Sequence, residues 1–289
     1  MIPAEAVRAR ERLMVRLGTT FAEIAVEIHE APRPEATVFC LHDFFGNGQD
    51  FRPLAATLVA NRYRVISPDM PGRGDSVYFD DPEYYRPVTY LRTLMGVMQR
   101  FADSRIIIVG KGWGALLALL LNTRVNFELE RLVVSDVPLL WSVNVDTLPR
   151  PELAAGADLA AARDGLVASP EFAGMRPERA AELAAGRLRQ APDGTVSLAY
   201  DPSIIEPLRR FAENALDTAS LLKKLGVPLL YLTAGRLSDG DRQALDAVGL
   251  PPGSVRAEEL RPGGRVHFTS SREQVLLLRF LKGVSTSAG

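Results

Sequence analysis

Residues 105–121 read RIIIVGKGWGALLALLL. A β-branched run enters a turn spaced by glycines and leaves it directly as an apolar segment of helical length. A strand and a helix that are both this apolar are buried together, which calls for a parallel sheet covered by helices. The turn is Gly110-Lys111-Gly112-Trp113-Gly114. Its central residue, Gly112, has no side chain to present above the sheet.

The rest of the chain keeps the same rhythm. Phe21–His29 and Ala36–Leu41 read as strands, Gln49–Asn61 as a helix, Tyr63–Ser67 as a strand and Tyr90–Phe101 as a helix. Beyond the glycine turn come the helix Ala115–Asn122 and the strand Arg131–Ser135. Later units are the helix Ala215–Leu225, the strand Pro228–Thr233, a short strand around Val255–Leu260 and the helix Ser271–Leu281. The segment 141–214 breaks the alternation. It is rich in Ala, Glu, Arg and Pro, has no convincing buried strand, and reads as a helical insertion. The predicted organisation is therefore a core part over 1–140, an insertion over 141–214 and a second core part over 215–289, with 283–289 as a disordered tail. Arginines interrupt the apolar positions of the N-terminal segment, which reads as a short amphipathic surface helix.

Composition excludes several classes. Among 289 residues, 34 basic side chains face 35 acidic ones, so no charge excess favours nucleic acid. Cys40 is the single cysteine, expected in the core, and the histidines His29, His42 and His267 are too dispersed for a metal motif. No apolar run approaches the ~20 residues of a membrane span, and the N-terminus lacks the apolar centre of a signal peptide. The expectations are a cytoplasmic protein, no cofactor, no nucleic acid, no membrane span, and a small-molecule ligand or a protein partner.

Four landmarks then occur in order: His42-Asp43-Phe44-Phe45-Gly46 after a strand, Asp69-Met70-Pro71-Gly72-Arg73-Gly74-Asp75-Ser76 after another, the turn Gly110–Gly114, and, past the insertion, Gly235-Arg236-Leu237-Ser238-Asp239 followed by His267. This order resembles the α/β-hydrolase family over about residues 35–285. Its HG dipeptide, D-x-x-G-x-G-x-S segment, G-x-S-x-G nucleophile elbow, inserted cap, acid and histidine occur in that sequence. The segment Pro192-Asp193-Gly194-Thr195 … Tyr200-Asp201-Pro202 resembles cap ends of an esterase-like branch, and Trp113-Gly114 resembles the G-x-D-W-G elbow of epoxide hydrolases. The resemblance implies an α/β-hydrolase fold: a mostly parallel central sheet flanked by helices, with an inserted helical cap.

It also implies roles. His267 becomes the general base, Asp239 its orienting acid and Asp136 a second acid candidate. The backbone N–H groups of Phe44 and Trp113 become the oxyanion hole. His42 is expected as an inward structural histidine and Lys111 as a solvated charge. Three departures stand out: Gly112 replaces the nucleophile, Asp43 replaces the HG glycine, and the interval from His267 to Phe280 is short. With Gly112, covalent serine catalysis is excluded. The leading expectation is a pseudoenzyme-like member with a capped pocket. One alternative is a hydrolase that uses water activated by His267 and Asp239. Another is dinucleotide binding through Gly110-x-Gly112-x-x-Ala115, with Asp136 placed as a ribose-binding acid.

Overall fold

A computed structural model describes residues 7–102, 105–122, 128–141, 150–213, 216–237, 239–257, 260 and 265–284. The chain opens with β1 (Val7–Arg16) and β2 (Phe21–Glu30), followed by β3 (Ala36–Leu41), α1 (Arg52–Ala60), β4 (Tyr63–Pro68) and α2 (Pro87–Phe101). Next come β5 (Ile106–Lys111), α3 (Trp113–Asn122) and β6 (Leu129–Ser135). The following stretch carries β7 (Leu140–Trp141), α4 (Leu159–Val167), α5 (Pro177–Gly186), β8 (Leu188–Gln190), β9 (Val196–Leu198), α6 (Ile205–Ala212) and β10 (Leu216–Asp217). The chain closes with α7 (Thr218–Leu222), β11 (Leu229–Leu232), α8 (Asp239–Val248), β12 (Val255–Ala257) and α9 (Ser271–Leu281).

Eight strands form one sheet in the order β1-β2-β4-β3-β5-β6-β11-β12. From β4 to β12 all neighbours are parallel, while β1 and β2 add an antiparallel hairpin at one edge. Both faces are dry, and the strand period of two sorts side chains between them. Phe39, Leu41, Ile106, Ile108, Leu132 and Val134 face the layer of α2 and α3. Val38, Cys40, Ile107, Val109 and Val133 face α1 and α9, where Leu54, Leu58, Leu277 and Phe280 close the other core. Helix α9 begins with a capping box, Ser270 accepting from the Glu273 amide and Glu273 accepting from the Ser270 amide.

Three expectations need correction. The N-terminal segment is strand β1 and not a surface helix. Its alternation has period two: Ala9, Leu13 and Val15 turn inward while Arg8, Arg10, Arg12, Met14 and Arg16 turn outward. The insertion is helical in α4, α5 and α6 but also holds the antiparallel pair β8–β9, and β7 pairs with β10 at its base. The expected helix over 215–225 is accordingly split into β10 and α7. The predicted tail lies beyond the described residues from residue 285 onward, as does Ser238. Among the described residues no helix is long and apolar enough to cross a membrane.

Candidate functional site

The turn between β5 and α3 is a sharp elbow. Gly112 has φ +50°, and its N–H donates to the Ser135 carbonyl at 2.8 Å. Glycine adopts that conformation without steric cost. Gly114 allows α3 to press on β3: a Cβ there would stand 2.5 Å from the Leu41 carbonyl carbon. The elbow that the sequence predicts is thus formed, with an apex that carries only hydrogen.

The space above that apex is filled by Asp43. Its Oδ1 accepts hydrogen bonds from the amide N–H groups of Phe44 (2.7 Å) and Trp113 (3.0 Å). Its Oδ2 is paired with the Arg265 guanidinium. A Cβ built on Gly112 would overlap this carboxylate, 2.5 Å from Cγ and closer still to Oδ1. Burial pushes the Asp43 carboxyl up, but the charges of Arg265 and Lys111 and the two amide donors outweigh it and hold the group below its ordinary range. The two amides expected to form an oxyanion hole do converge, and an internal anion already occupies them.

The surrounding main chain is held rigidly. His42 is fully buried; its Nε2 accepts from the Met70 amide at 2.9 Å, so Nδ1 is the protonated nitrogen and donates to the Asp43 carbonyl at 2.7 Å. Burial pushes the His42 pKa down to about 3, which keeps that neutral tautomer. Arg73, also buried, donates through Nε to the Phe44 carbonyl at 3.0 Å and lies 4.6 Å over the Phe44 ring. Trp113 is packed edge-on against Phe44, Tyr90 and Phe211, so its indole is core while its amide serves the site.

His267 does not meet Asp239. The imidazole lies 2.9 Å from Lys111 Nζ through Nδ1 and 3.0 Å from the Glu171 main-chain oxygen through Nε2, and it stacks on Phe172. Asp239 stands exposed in the first turn of α8. A carbonyl oxygen only accepts, so Nε2 must carry a proton; Lys111 donates, so Nδ1 must accept. A triad base needs the reverse, with its Nε2 lone pair facing the nucleophile. Lys111 is itself a correction: it is 2% exposed rather than solvated. Burial lowers its pKa against the pull of the carboxylates of Glu171, Asp43 and Asp50.

Asp136 sits at φ +53°, beside the same loop, with its carboxylate accepting the Val266 amide at 2.8 Å. It therefore anchors the main chain next to His267 rather than the imidazole. Burial raises its pKa to about 6 despite Lys111 and the Val266 amide. Phe268, on the other side of His267, is also in the left-handed region at φ +55°. Such strain in non-glycine residues gathers at sites held by their surroundings.

The insertion reaches this site through residues that sequence reasoning did not single out. Arg187, 4% exposed, donates to both oxygens of Asp50 (3.0 and 2.8 Å) and to Glu171 at 3.1 Å. Asn47 donates to the Gly186 carbonyl at 2.6 Å. A cavity of about 240 Å³ is lined by Asp43, Phe45, Arg150, Glu171, Arg187 and Arg265 among others. In the sequence these are ordinary surface residue types, and no local pattern marks them for burial.

The general sequence pattern of the α/β-hydrolase family matches residues 38–276. The chain belongs to the α/β-hydrolase family. This α/β-hydrolase is 27% identical over 193 residues to a 3-hydroxybutyrate-oligomer hydrolase of Cupriavidus necator, a match covering 64% of the chain and 65% of that protein. It is 30% identical over 92 residues to an epoxide hydrolase of Caballeronia sordidicola, covering 32% of the chain and 28% of that protein. The chain thus spans less than two thirds of the length of these curated relatives. An α/β-hydrolase from Novosphingobium aromaticivorans superposes with a TM-score of 0.78 at 22% identity, over 97% of this chain and 100% of that one. At that identity the likeness speaks for the fold alone. The dinucleotide reading of the elbow meets a physical obstacle: a pyrophosphate approaching Gly112 would encounter the Asp43 carboxylate.

Proposed function

We propose that this chain is an α/β-hydrolase-family protein that performs no covalent acyl or alkyl chemistry at its elbow and retains a capped pocket for binding a small molecule. One observation carries the reading. The Asp43 carboxylate takes the two amide donors that a developing oxyanion would need, and it fills the volume that a side chain at residue 112 would need. The helical insertion acts as the cap over the pocket. The competing reading, water activated by His267 with Asp239, is disfavoured by the proton on Nε2 and by the exposed position of Asp239.

The test is incubation of the native chain with a fluorophosphonate probe and with p-nitrophenyl esters. The expected result is no covalent labelling and turnover at the buffer rate. Stoichiometric labelling or a burst of nitrophenol would overturn the reading.

A further inference from the structure

A groove lies between the pair β8–β9 of the insertion and core residues 78–80, and it shares no lining residue with the cavity beside Asp43. Its volume is about 830 Å³, within the ~300–1,000 Å³ common for ligand pockets. Asp80, Arg189, Gln190 and Ser197 border it and are exposed to solvent. Its two sides are tied together. The Gly74 amide donates to the Ala199 carbonyl and the Asp201 amide to the Gly72 carbonyl, each at 2.8 Å. The buried Tyr85 hydroxyl donates to Asp201 Oδ2 at 2.6 Å and accepts the Phe79 amide at 2.7 Å. The groove is thus formed before any ligand arrives.

The lining combines two chemistries. Tyr78, Phe79 and Tyr200 contribute half-buried rings. Neighbours support each one: the Arg189 guanidinium 4.6 Å over Tyr78, the Tyr84 and Tyr85 rings beside Phe79, and the Phe45 ring 5.0 Å from Tyr200. The polar side chains are of every kind: Asp80 accepts, Arg189 donates, and Gln190 and Ser197 do both. Charge selects neither sign of ion. Asp201 already accepts from Tyr85 and from the Ser203 amide at 2.9 Å, and the remaining charged lining residues, Asp80 and Arg189, are opposite. Arg150 and Glu152, which act on the Tyr200 phenol, also oppose each other. A wholly apolar ligand would strip water from Asp80, Arg189, Gln190 and Ser197 and replace none of those hydrogen bonds. A pyranose meets both demands. Its C–H face lies on the negative face of an aromatic ring, and its rim of hydroxyls both donates and accepts.

We propose that the groove between β8–β9 and residues 78–80 is a binding site for a neutral oligosaccharide, its sugar faces on Phe79 and Tyr200 and its hydroxyls on Asp80 and Arg189. This site is separate from the elbow and does not depend on what the pocket there binds.

The test is titration calorimetry of the full chain with maltose and cellobiose, compared with benzyl alcohol, sodium gluconate and choline chloride. The expected result is saturable binding of at least one disaccharide and none of the three comparison compounds. Asp80→Ala, at an exposed position, should weaken disaccharide binding at least about tenfold, while Arg163→Gln, on exposed α4, should leave it unchanged. Phe79→Leu should weaken it as well. If that variant fails to fold, saturation-transfer NMR on the native chain replaces it: irradiation of aromatic protons should pass magnetisation to the C–H protons of the bound sugar. No binding of either disaccharide, equal binding of benzyl alcohol or of either ion, unchanged binding in Asp80→Ala, or no transfer from the aromatic protons overturns the proposal. The fluorophosphonate test reads the elbow alone, so the two readings fail separately.

Discussion

Oδ1 of Asp43 lies 3.0 Å from the amide nitrogen of Trp113, and there it accepts the hydrogen bond that an acyl oxyanion would require. The same oxygen excludes a Cβ from residue 112. Asp43 and Gly112 are therefore one steric unit, and any substitution at one is read through the other.

Gly112→Ser is expected to lose stability and gain no esterase activity. The left-handed backbone alone costs a non-glycine residue about 1–3 kcal/mol, and the overlap with Asp43 adds to it. Asp43→Gly combined with Gly112→Ser should be more stable than the sum of the single changes by about 0.5–3 kcal/mol. Urea unfolding of the four proteins measures the coupling, and strict additivity would contradict the steric unit.

The tautomer of His267 is a second prediction. Nitrogen-15 spectra of the imidazole should show a proton on Nε2 and a lone pair on Nδ1, as its contacts with Glu171 and Lys111 require. Lys111→Met should move the Nδ1 resonance and leave Nε2 protonated. A spectrum with the proton on Nδ1 alone would reverse the assignment.

Arg187→Met should destabilise the protein by about 3–5 kcal/mol, because the buried Asp50 loses its ion-pair partner and Glu171 keeps only Lys111 and Arg265. Adding Asp50→Asn and Glu171→Gln should recover most of that loss. Trypsin cleavage within the insertion, followed by mass spectrometry, should accelerate in the single variant and slow again in the triple.

The pH dependence has two arms. Asp136 has a native pKa raised to about 6 from 3.8, so its contribution is full at low pH and declines as pH rises through 6. Glu171 is the opposite: burial raises its pKa, but Arg187, Lys111 and Arg265 bring it down to about 2, so its contribution is present above pH 4.5 and is lost as pH falls toward 2. Asp136→Asn removes its own share of the first arm, leaving that of Asp69, which burial also raises to about 6, and unfolding at pH 4 and pH 7 should show the difference between them change by up to about 3 kcal/mol in favour of pH 7. An unchanged difference would contradict a raised Asp136.

Most of the sheet was legible because buried parallel strands and covering helices leave long apolar runs, as at Ile106–Val109 and Leu116–Leu121. Strand β1 was misread because its arginines favour helices and hide a period of two that becomes decisive only when β2 is available to pair. At the site, local motifs located Gly112, the amide pair and Asp43. They did not reveal which way Lys111 points, since one residue of register at a strand end decides between solvent and core. Asp239 was assigned by its place in the chain, but contact with His267 depends on how far α8 carries it. Glu171, Arg187 and Asp50 meet only through tertiary packing, 137 positions separating the last two.

The bond of Arg187 to Asp50 also sets a clock. Lifting the insertion from the core separates Arg187 from Asp50, charges that are held with little water, while Glu171 travels with Arg187, so the docked arrangement of the insertion is the favoured one. An amide proton on the buried face of the insertion near Arg187 can then exchange with solvent only as often as this one ion pair is broken.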